Sequence, residues 1–319
     1  MTIENLEIRK EFVKFFNLPF PMVEHNYAHY IKALDPYYKT IIKLNDFNNA
    51  ISKYDNVQDF LFSLKNSKSL IHNLFNEKNN DDMSAIDNLK AFDFSQYQAE
   101  NLNIAGGDIY KIPNVGNHYI SVDLKHANFQ SLKFIAKKMK EDNSFSKIMK
   151  HYNTYEDLFI LTNSDPFFAK SKNLRQYIFG LLEPKKQQFI QKYIMGLVYQ
   201  KILEPIHPDK IVALNSDELI IQVEFDDIDE NLTEISKALL LDNFLSQFKF
   251  HVDYFQLCRV GEQHKFFYKK NKNNIEFKCV PKNKLMEVIA KYEGREATCA
   301  DKLFIFDGRL AIYQDNLFD

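Results

Sequence analysis

The spacing of the apolar residues changes once along this chain, and the change limits the folds that the chain can adopt. Up to about residue 100, apolar side chains recur every three or four positions, which is the repeat of amphipathic helices. From residue 118 onward, short alternating or continuous apolar runs lie between further helical stretches. This order predicts an α+β fold. We expect a helical N-terminal region over residues 1–100, a core over 101–226 and a C-terminal α+β region over 227–319.

The first predicted strand ends on a carboxylate. In "HYISVDLKHANF", Ile120 and Val122 point to one face of the strand before Asp123, and a helical pattern begins directly afterwards. A carboxylate at the end of a buried strand is unfavourable unless it is paired or binds a cation. Two interpretations stay open: Asp123 caps the following helix, since Asp is a favoured capping residue, or it binds a metal ion.

A second acidic position lies in a predicted hairpin. "DKIVALNSDELIIQVEF" contains two β runs, 210–214 and 219–225, joined by a polar turn that carries Asp217 and Glu218. An acidic turn of this kind is often only solvated. A strand that ends in Asp and a later hairpin with Asp at its turn are, however, the components of a polymerase palm. Two carboxylates on rigid strands would hold two Mg²⁺ or Mn²⁺ ions, which activate a primer hydroxyl and stabilise the leaving pyrophosphate.

Three short motifs, in order, resemble those of a known enzyme class. "SVDLKHANFQSL" is similar to motif A, "RQYIFG" to motif B and "LNSDELIIQV" to motif C of family A DNA polymerases and their single-subunit RNA polymerase relatives. The stretch that carries them, residues 118–226, therefore resembles a polymerase palm with part of its fingers. The resemblance implies that Asp123 and Asp217 are catalytic metal ligands and that Glu218 is an auxiliary catalytic acid.

The motifs also depart from the family pattern. Arg175 stands where the family normally has Lys, and Ser216 stands where it has His. Asp217 lies only 38 positions after Phe179, a far shorter distance than in the family. The missing length corresponds to the outer finger helices, so we expect template handling to be reduced or different.

The resemblance also implies a set of nucleotide contacts. Arg175 and Lys172 would bind triphosphate oxygens, unless they belong only to a solvated basic face. Tyr177 and Phe179 would be available to stack on the incoming base, with core packing as the alternative for at least one of them. Asn128, the fifth residue after the motif A aspartate, would lie near the sugar, so we expect sugar selection to be loose or to favour ribonucleotides. The alternative for Asn128 is that it faces the following helix.

Five lysines form the predicted nucleic-acid contacts. Two lie in "KKQQ" and three in "HKFFYKKNKNN", where lysines are interleaved with aromatic residues: Lys185, Lys186, Lys269, Lys270 and Lys272. Lysines that neutralise phosphates release counterions and make binding salt-dependent. The alternatives are a solvated face for the first pair and an edge strand protected by charge for the other three.

Composition narrows the remaining classes. The net charge of −2 opposes a protein that binds nucleic acid over its whole surface. No apolar run approaches the roughly 20 residues of a membrane helix, and "MTIENLEIRKEF" lacks the apolar core of a signal peptide. The three cysteines show no paired spacing, so we expect a cytoplasmic or other reducing compartment.

These observations together predict a minimal nucleic-acid polymerase. It would be a nucleotidyltransferase that extends a DNA or RNA primer-template with nucleoside triphosphates, using Mg²⁺ or Mn²⁺. The alternative is a non-catalytic nucleic-acid-binding protein with a palm-like fold.

Overall fold

A computed structural model describes most of the chain, namely residues 5–78, 83–98, 109–140, 143–272, 274–314 and 317. Within these ranges the chain forms twelve α-helices, one six-stranded sheet and one two-stranded sheet. The α+β class is therefore confirmed. No disulfide joins Cys258, Cys279 and Cys299.

The N-terminal region is helical, as its apolar repeat predicts. Its five helices are α1 (Leu6–Phe15), α2 (Tyr27–Tyr38), α3 (Thr40–Ile51), α4 (Val57–Asn76) and α5 (Ala85–Ala91). Polar side chains begin several of them. Asn5 and Asn56 accept hydrogen bonds from the first-turn backbone of α1 and α4, and Ser84 forms a capping box with Asp87 at the start of α5.

The main sheet is antiparallel throughout and contains strands from both halves of the chain. Its strands are β1 (His118–Leu124), β2 (Ile211–Leu214), β3 (Glu218–Val223), β4 (Phe250–Arg259), β5 (Phe267–Lys270) and β6 (Ile275–Lys278). Their spatial order is β2-β3-β1-β4-β5-β6, so β1 pairs on one side with β3 and on the other with β4. The sheet thus continues across the expected boundary at residue 226, because strands β4–β6 of the expected C-terminal α+β region extend it rather than forming a separate sheet.

Seven further helices and a separate hairpin complete the described chain. The helices are α6 (Ala127–Lys138), α7 (Ser144–Lys150), α8 (Tyr155–Leu161), α9 (Lys172–Gly180), α10 (Pro184–Ile202), α11 (Ile228–Leu241) and α12 (Leu285–Tyr292). The hairpin consists of β7 (Leu303–Phe306) and β8 (Arg309–Ile312). Pro184 occupies the first turn of α10, where its missing N–H needs no partner.

The two faces of the main sheet differ in chemistry. Ile120, Val122 and Ile221 point to one face and are fully buried in a hydrophobic core that extends from α1 to α12. On the other face, Tyr119 and Phe255 belong to a second and smaller apolar cluster. That cluster covers only part of the face, and polar side chains line a pocket over the rest. The polar part lies where β1 ends, so this strand has one buried and one accessible face at its C-terminal end.

A buried carboxylate joins the N-terminal helices to the end of the chain. Asp301 is fully buried and accepts hydrogen bonds from Arg295 at 2.7 Å and from Thr298, while its Oδ1 lies 3.0 Å from Nε2 of His29 on α2. Burial alone would raise the pKa of Asp301. The hydrogen bonds from Arg295, His29 and Thr298 outweigh burial and hold this pKa below its usual range.

We expect Asp301→Asn to lower the free energy of unfolding by roughly 3 kcal/mol at pH 7, because it leaves Arg295 without its buried partner. A carboxyl group with a lowered pKa in the folded state stabilises the protein above its unfolded pKa, and this contribution is lost as the pH falls through the folded pKa. The difference between wild type and variant should therefore narrow in acid. Urea denaturation at pH 7 and at lower pH measures it, with the exposed Asp209→Asn as control. Equal effects of the two substitutions would contradict the assignment.

Candidate active site

Asp123 occupies the last but one position of β1, between two neighbouring strands. It is opposite Glu218 of β3 and His251 of β4. Helix α6 begins later, at Ala127, and its N-cap is His126 in the left-handed conformation (φ 57°). The interpretation of Asp123 as a helix cap is therefore wrong: the strand extends one residue beyond Asp123, and a two-residue turn separates it from the helix.

Asp217 lies beside Asp123. The backbone N–H of Leu124 donates a 2.8 Å hydrogen bond to the carbonyl oxygen of Asp217, which fixes the hairpin turn against the end of β1. Burial raises the pKa of Asp123, and the negative charges of Asp217 and Glu218 raise it further. The two aspartates that the motifs single out thus line one pocket on the accessible face of the sheet.

Glu218 differs from the two aspartates because it already has partners. Its Oε1 accepts a 2.6 Å hydrogen bond from the Ser121 hydroxyl and lies 3.1 Å from the Lys269 ammonium nitrogen. Lys269 also lies over the ring of Phe255, 4.4 Å from its centroid, and its side chain is only 13% exposed. Lys269 therefore belongs to the acidic pocket, and not to the exposed surface on which a nucleic-acid contact was expected.

Strand β4 contributes residues that the motifs did not indicate. His251 and Asp253 line the same pocket of about 390 Å³, and Asp253 accepts a 2.7 Å hydrogen bond from the side chain of Asn271. The alternation in "FHVDYF" places both residues on one face of the strand, which is the signal that could have identified them. Their neighbourhood to Asp123 depends on the pairing of β4 with β1, which no local pattern encodes.

The pocket suits a cation. Five carboxylates line it: Asp123, Asp217, Glu218, Asp253 and Glu276. Glu218, Asp253 and Glu276 are hydrogen-bonded or ion-paired, whereas within the described residues the side chains of Asp123 and Asp217 have no such partner. A partly buried carboxylate without a partner is unfavourable, and a divalent cation between the two would remove the penalty.

The number of protein ligands sets a limit on that cation. Over the described ranges, no three His, Cys, Asp or Glu side chains are arranged so that they would enclose a metal ion by themselves. Mg²⁺ commonly binds through one or two carboxylates and takes its other ligands from water and from substrate phosphates. Asp123 and Asp217 fit that mode and do not fit a closed structural site.

A second cavity, of about 400 Å³, opens where β1 ends. We call it the cationic cavity; its charged lining consists of Lys125, Lys133, Lys137, Arg175, Lys249, His126 and Glu156. In the part of the chain that the structure describes, none of its four lysines nor its arginine forms an ion pair. Two residues of chain span at most about 7 Å, so the cationic cavity begins close to the acidic pocket.

Backbone pairing holds the entrance of the cationic cavity. The N–H of Lys125 donates a 3.0 Å hydrogen bond to the carbonyl of Lys249. The side-chain amide nitrogen of Gln130 donates to the carbonyls of Lys125 and Lys249, and its oxygen accepts a 2.6 Å bond from the N–H of Lys249. Gln130 of α6 therefore fixes the backbone of Lys125, which follows β1, and of Lys249, which precedes β4.

The electrostatics of the cationic cavity favour an anion. Burial lowers the pKa of His126, and the charges of Arg175 and Lys125 lower it further. Burial and the charges of Lys137 and Lys249 likewise lower the pKa of Lys133. Cations that depress each other's protonation are stabilised when a negatively charged group binds among them.

Arg175 is the one predicted nucleotide contact that lines the cationic cavity. Its guanidinium lies 5.1 Å from the centroid of Tyr155 and donates a hydrogen bond to the carbonyl of Ala169. Phe179 packs behind it, buried, with its ring 4.9 Å from that of Tyr155. Phe179 therefore supports the wall of the cavity and is not accessible to a base.

The other predicted nucleotide contacts lie elsewhere. Lys172, the first residue of α9, is exposed and lines neither cavity. Tyr177 faces a groove between α1 and α4, where Lys68 lies over its ring at 3.3 Å. Asn128, itself the second residue of α6, accepts a 2.8 Å hydrogen bond from the buried side chain of Gln191, so it faces α10 rather than the helix that follows β1.

The remaining lysines are divided between surface and structure. Lys185, Lys270 and Lys272 are exposed. Lys186 is engaged in the fold, since it donates to the carbonyls of Leu89 and Lys90. The first three therefore remain available to contact phosphates.

No known protein family, curated protein or solved structure matches this chain. Among the described residues, no helix combines the length and apolar character needed to cross a membrane.

We expect Asp123→Asn to raise the free energy of unfolding at neutral pH by about 1 kcal/mol, the order of magnitude of the repulsion between two neighbouring like charges in water. Because the pKa of Asp123 is raised in the folded state, protonation stabilises the fold. The gain should therefore vanish below the ordinary pKa of 3.8, where wild type is protonated in both states. Chemical denaturation from pH 7 to pH 3.5 measures this. Asp253→Asn, which replaces a hydrogen-bonded carboxylate, should instead lower the free energy of unfolding. A loss for Asp123→Asn at pH 7 would contradict the account.

Proposed function

We propose that this protein is a metal-dependent nucleotidyltransferase that extends a nucleic-acid primer with nucleoside triphosphates. One observation carries the proposal: the carboxylates of Asp123 and Asp217 line one accessible pocket at the end of a core strand, and neither has a hydrogen-bond or ion-pair partner among the described residues. The adjoining cationic cavity supports it, because a reaction of triphosphates needs both a cation site and an anion site.

In this reaction the primer 3′-hydroxyl oxygen attacks the α-phosphorus and a P–O bond forms. The hydroxyl proton passes to water, and the bond to the leaving pyrophosphate breaks. A divalent cation bound by Asp123 and Asp217 would supply Lewis-acid stabilisation of the charge that develops on the phosphoryl oxygens. The two aspartates contribute rigid oxygen ligands, because β1 and the hairpin turn that carry them are joined by the backbone bond from Leu124.

The cationic cavity would hold the triphosphate. Lys125 and Lys249 stand at its entrance, nearest to the aspartates, and Arg175 presents a planar donor group that matches two phosphate oxygens. Asn153 orients Lys133 through a 2.8 Å hydrogen bond. These residues would bind the β- and γ-phosphates, orient the α-phosphate toward the aspartates and stabilise the pyrophosphate that leaves.

We expect Asp123→Asn and Asp217→Asn each to reduce nucleotide incorporation by at least a hundredfold, since metal stabilisation of phosphoryl charge supplies several kcal/mol and each ~1.4 kcal/mol is tenfold in rate. The double variant should be scarcely worse than either single one, because the pair acts as one unit. The assay follows labelled ribo- and deoxyribonucleotides on DNA and RNA primer-templates with Mg²⁺ and Mn²⁺.

Asp209→Asn removes the same negative charge at an exposed position. It is the matched control and should retain wild-type activity. Circular dichroism establishes that each variant is folded. Incorporation that survives in either aspartate variant would remove the pair from the mechanism. Wild-type protein that binds primer-template but incorporates nothing on the whole panel would instead favour the non-catalytic alternative.

The anion site is tested without metal. Lys133→Met and Lys249→Met should each weaken binding of a fluorescent nucleoside triphosphate about tenfold in the presence of EDTA, since a charged hydrogen bond contributes about 1.5–3 kcal/mol. Added salt should weaken wild-type binding more than that of the variants. Lys237→Met, at an exposed position of α11, serves as control. Unchanged affinity in both cavity variants would place the nucleotide elsewhere.

A further inference from the structure

Among the described residues that line the acidic pocket, Lys269 is the one cation in contact with a motif carboxylate. It belongs to β5, whereas Glu218 belongs to β3, and β1 and β4 lie between them. The lysine side chain extends over β4 on the accessible face of the sheet, where it brings its Nζ to 3.1 Å from Glu218. Its course over the Phe255 ring keeps it in this extended form.

This contact changes how many carboxylates are free to bind metal. Glu218 already has the ammonium of Lys269 and the hydroxyl of Ser121 on the same oxygen. A divalent ion at Glu218 would lie beside a fixed positive charge, which repels it. Asp123 and Asp217 have no such neighbour within hydrogen-bonding distance among the described residues, and two carboxylates are the number that a single hydrated ion uses.

We infer that the pocket binds one divalent cation rather than two, and that the ammonium group of Lys269 supplies the second positive charge at Glu218. This inference rests on the proposed function, which identifies the acidic pocket as a metal site. It concerns the number of divalent cations that bind there, for which the motifs alone predict two. Lys269 is in this account a positioning residue: it holds Glu218 and excludes the second ion.

The strand context makes this role rigid. Lys269 is paired with Leu257 of β4 on one side and with Glu276 of β6 on the other, so its Cα is fixed in the middle of the sheet. Lys270, its neighbour, is exposed, because successive side chains of a strand alternate between faces. The ammonium group of Lys270 therefore does not reach the pocket.

The test counts bound Mn²⁺ in the absence of nucleotide, by the loss of the electron paramagnetic resonance signal of the free ion. Wild type should bind one ion per chain, and Asp123→Asn should lose it. Lys269→Met should bind two ions per chain, and the double variant that combines Lys269→Met with Glu218→Gln should again bind one. Lys269→Arg, which keeps the charge, should bind one, and Lys278→Met, in the same pocket but paired with Glu276, should also bind one.

The outcomes separate this inference from the proposed function. Two ions in wild type, or one ion in folded Lys269→Met, would overturn the role of Lys269 and leave the aspartate pair intact. No Mn²⁺ in wild type or in Lys269→Met would overturn both. If Lys269→Met does not fold, Lys269→Gln, which retains a polar donor for Glu218 but no charge, replaces it and should bind two ions.

Discussion

The antiparallel pairing of β1 with its two neighbours is the interaction on which the rest of this structure depends. The β3 side brings Glu218 opposite Asp123 and Asp217 next to it, and the β4 side adds His251 and Asp253. Strand register is strict here, because a slip by one residue would exchange Val122 in the core with Asp123 on the accessible face. The fully buried Ile120 and Val122 therefore fix the position of the carboxylate.

The two cavities follow from the same strand. After β1 ends, Lys125 pairs with the backbone of Lys249 before β4, and α6 begins two residues later. The acidic pocket and the cationic cavity lie on either side of this turn between β1 and α6. Gln130 fixes the backbone around Lys125 and Lys249, two of the lysines that line the cationic cavity. A nucleoside triphosphate with a bound divalent ion would complete both sites.

The sequence predicted the local parts of this arrangement well. Alternation and turn residues indicated β1 and the β2–β3 hairpin, and the carboxylates at their ends were named as a pair. Prediction was poorer where a side chain depends on distant packing. Asn128 faces Gln191, Tyr177 faces Lys68 and Phe179 is buried, and these outcomes depend on how α9 and α10 pack. Lys269 was assigned to the surface because nothing local reveals that β5 lies two strands from β1.

A crystal structure with Mn²⁺ and a nucleoside triphosphate that cannot be cleaved between its α- and β-phosphates tests the central claim most directly. The anomalous signal of manganese locates the ion independently of the nucleotide. We predict manganese between the carboxylates of Asp123 and Asp217, an α-phosphate oxygen among its ligands, and the β- and γ-phosphates among Lys125, Lys249 and Arg175. Manganese away from both aspartates, or a triphosphate bound outside the cationic cavity, would contradict the account.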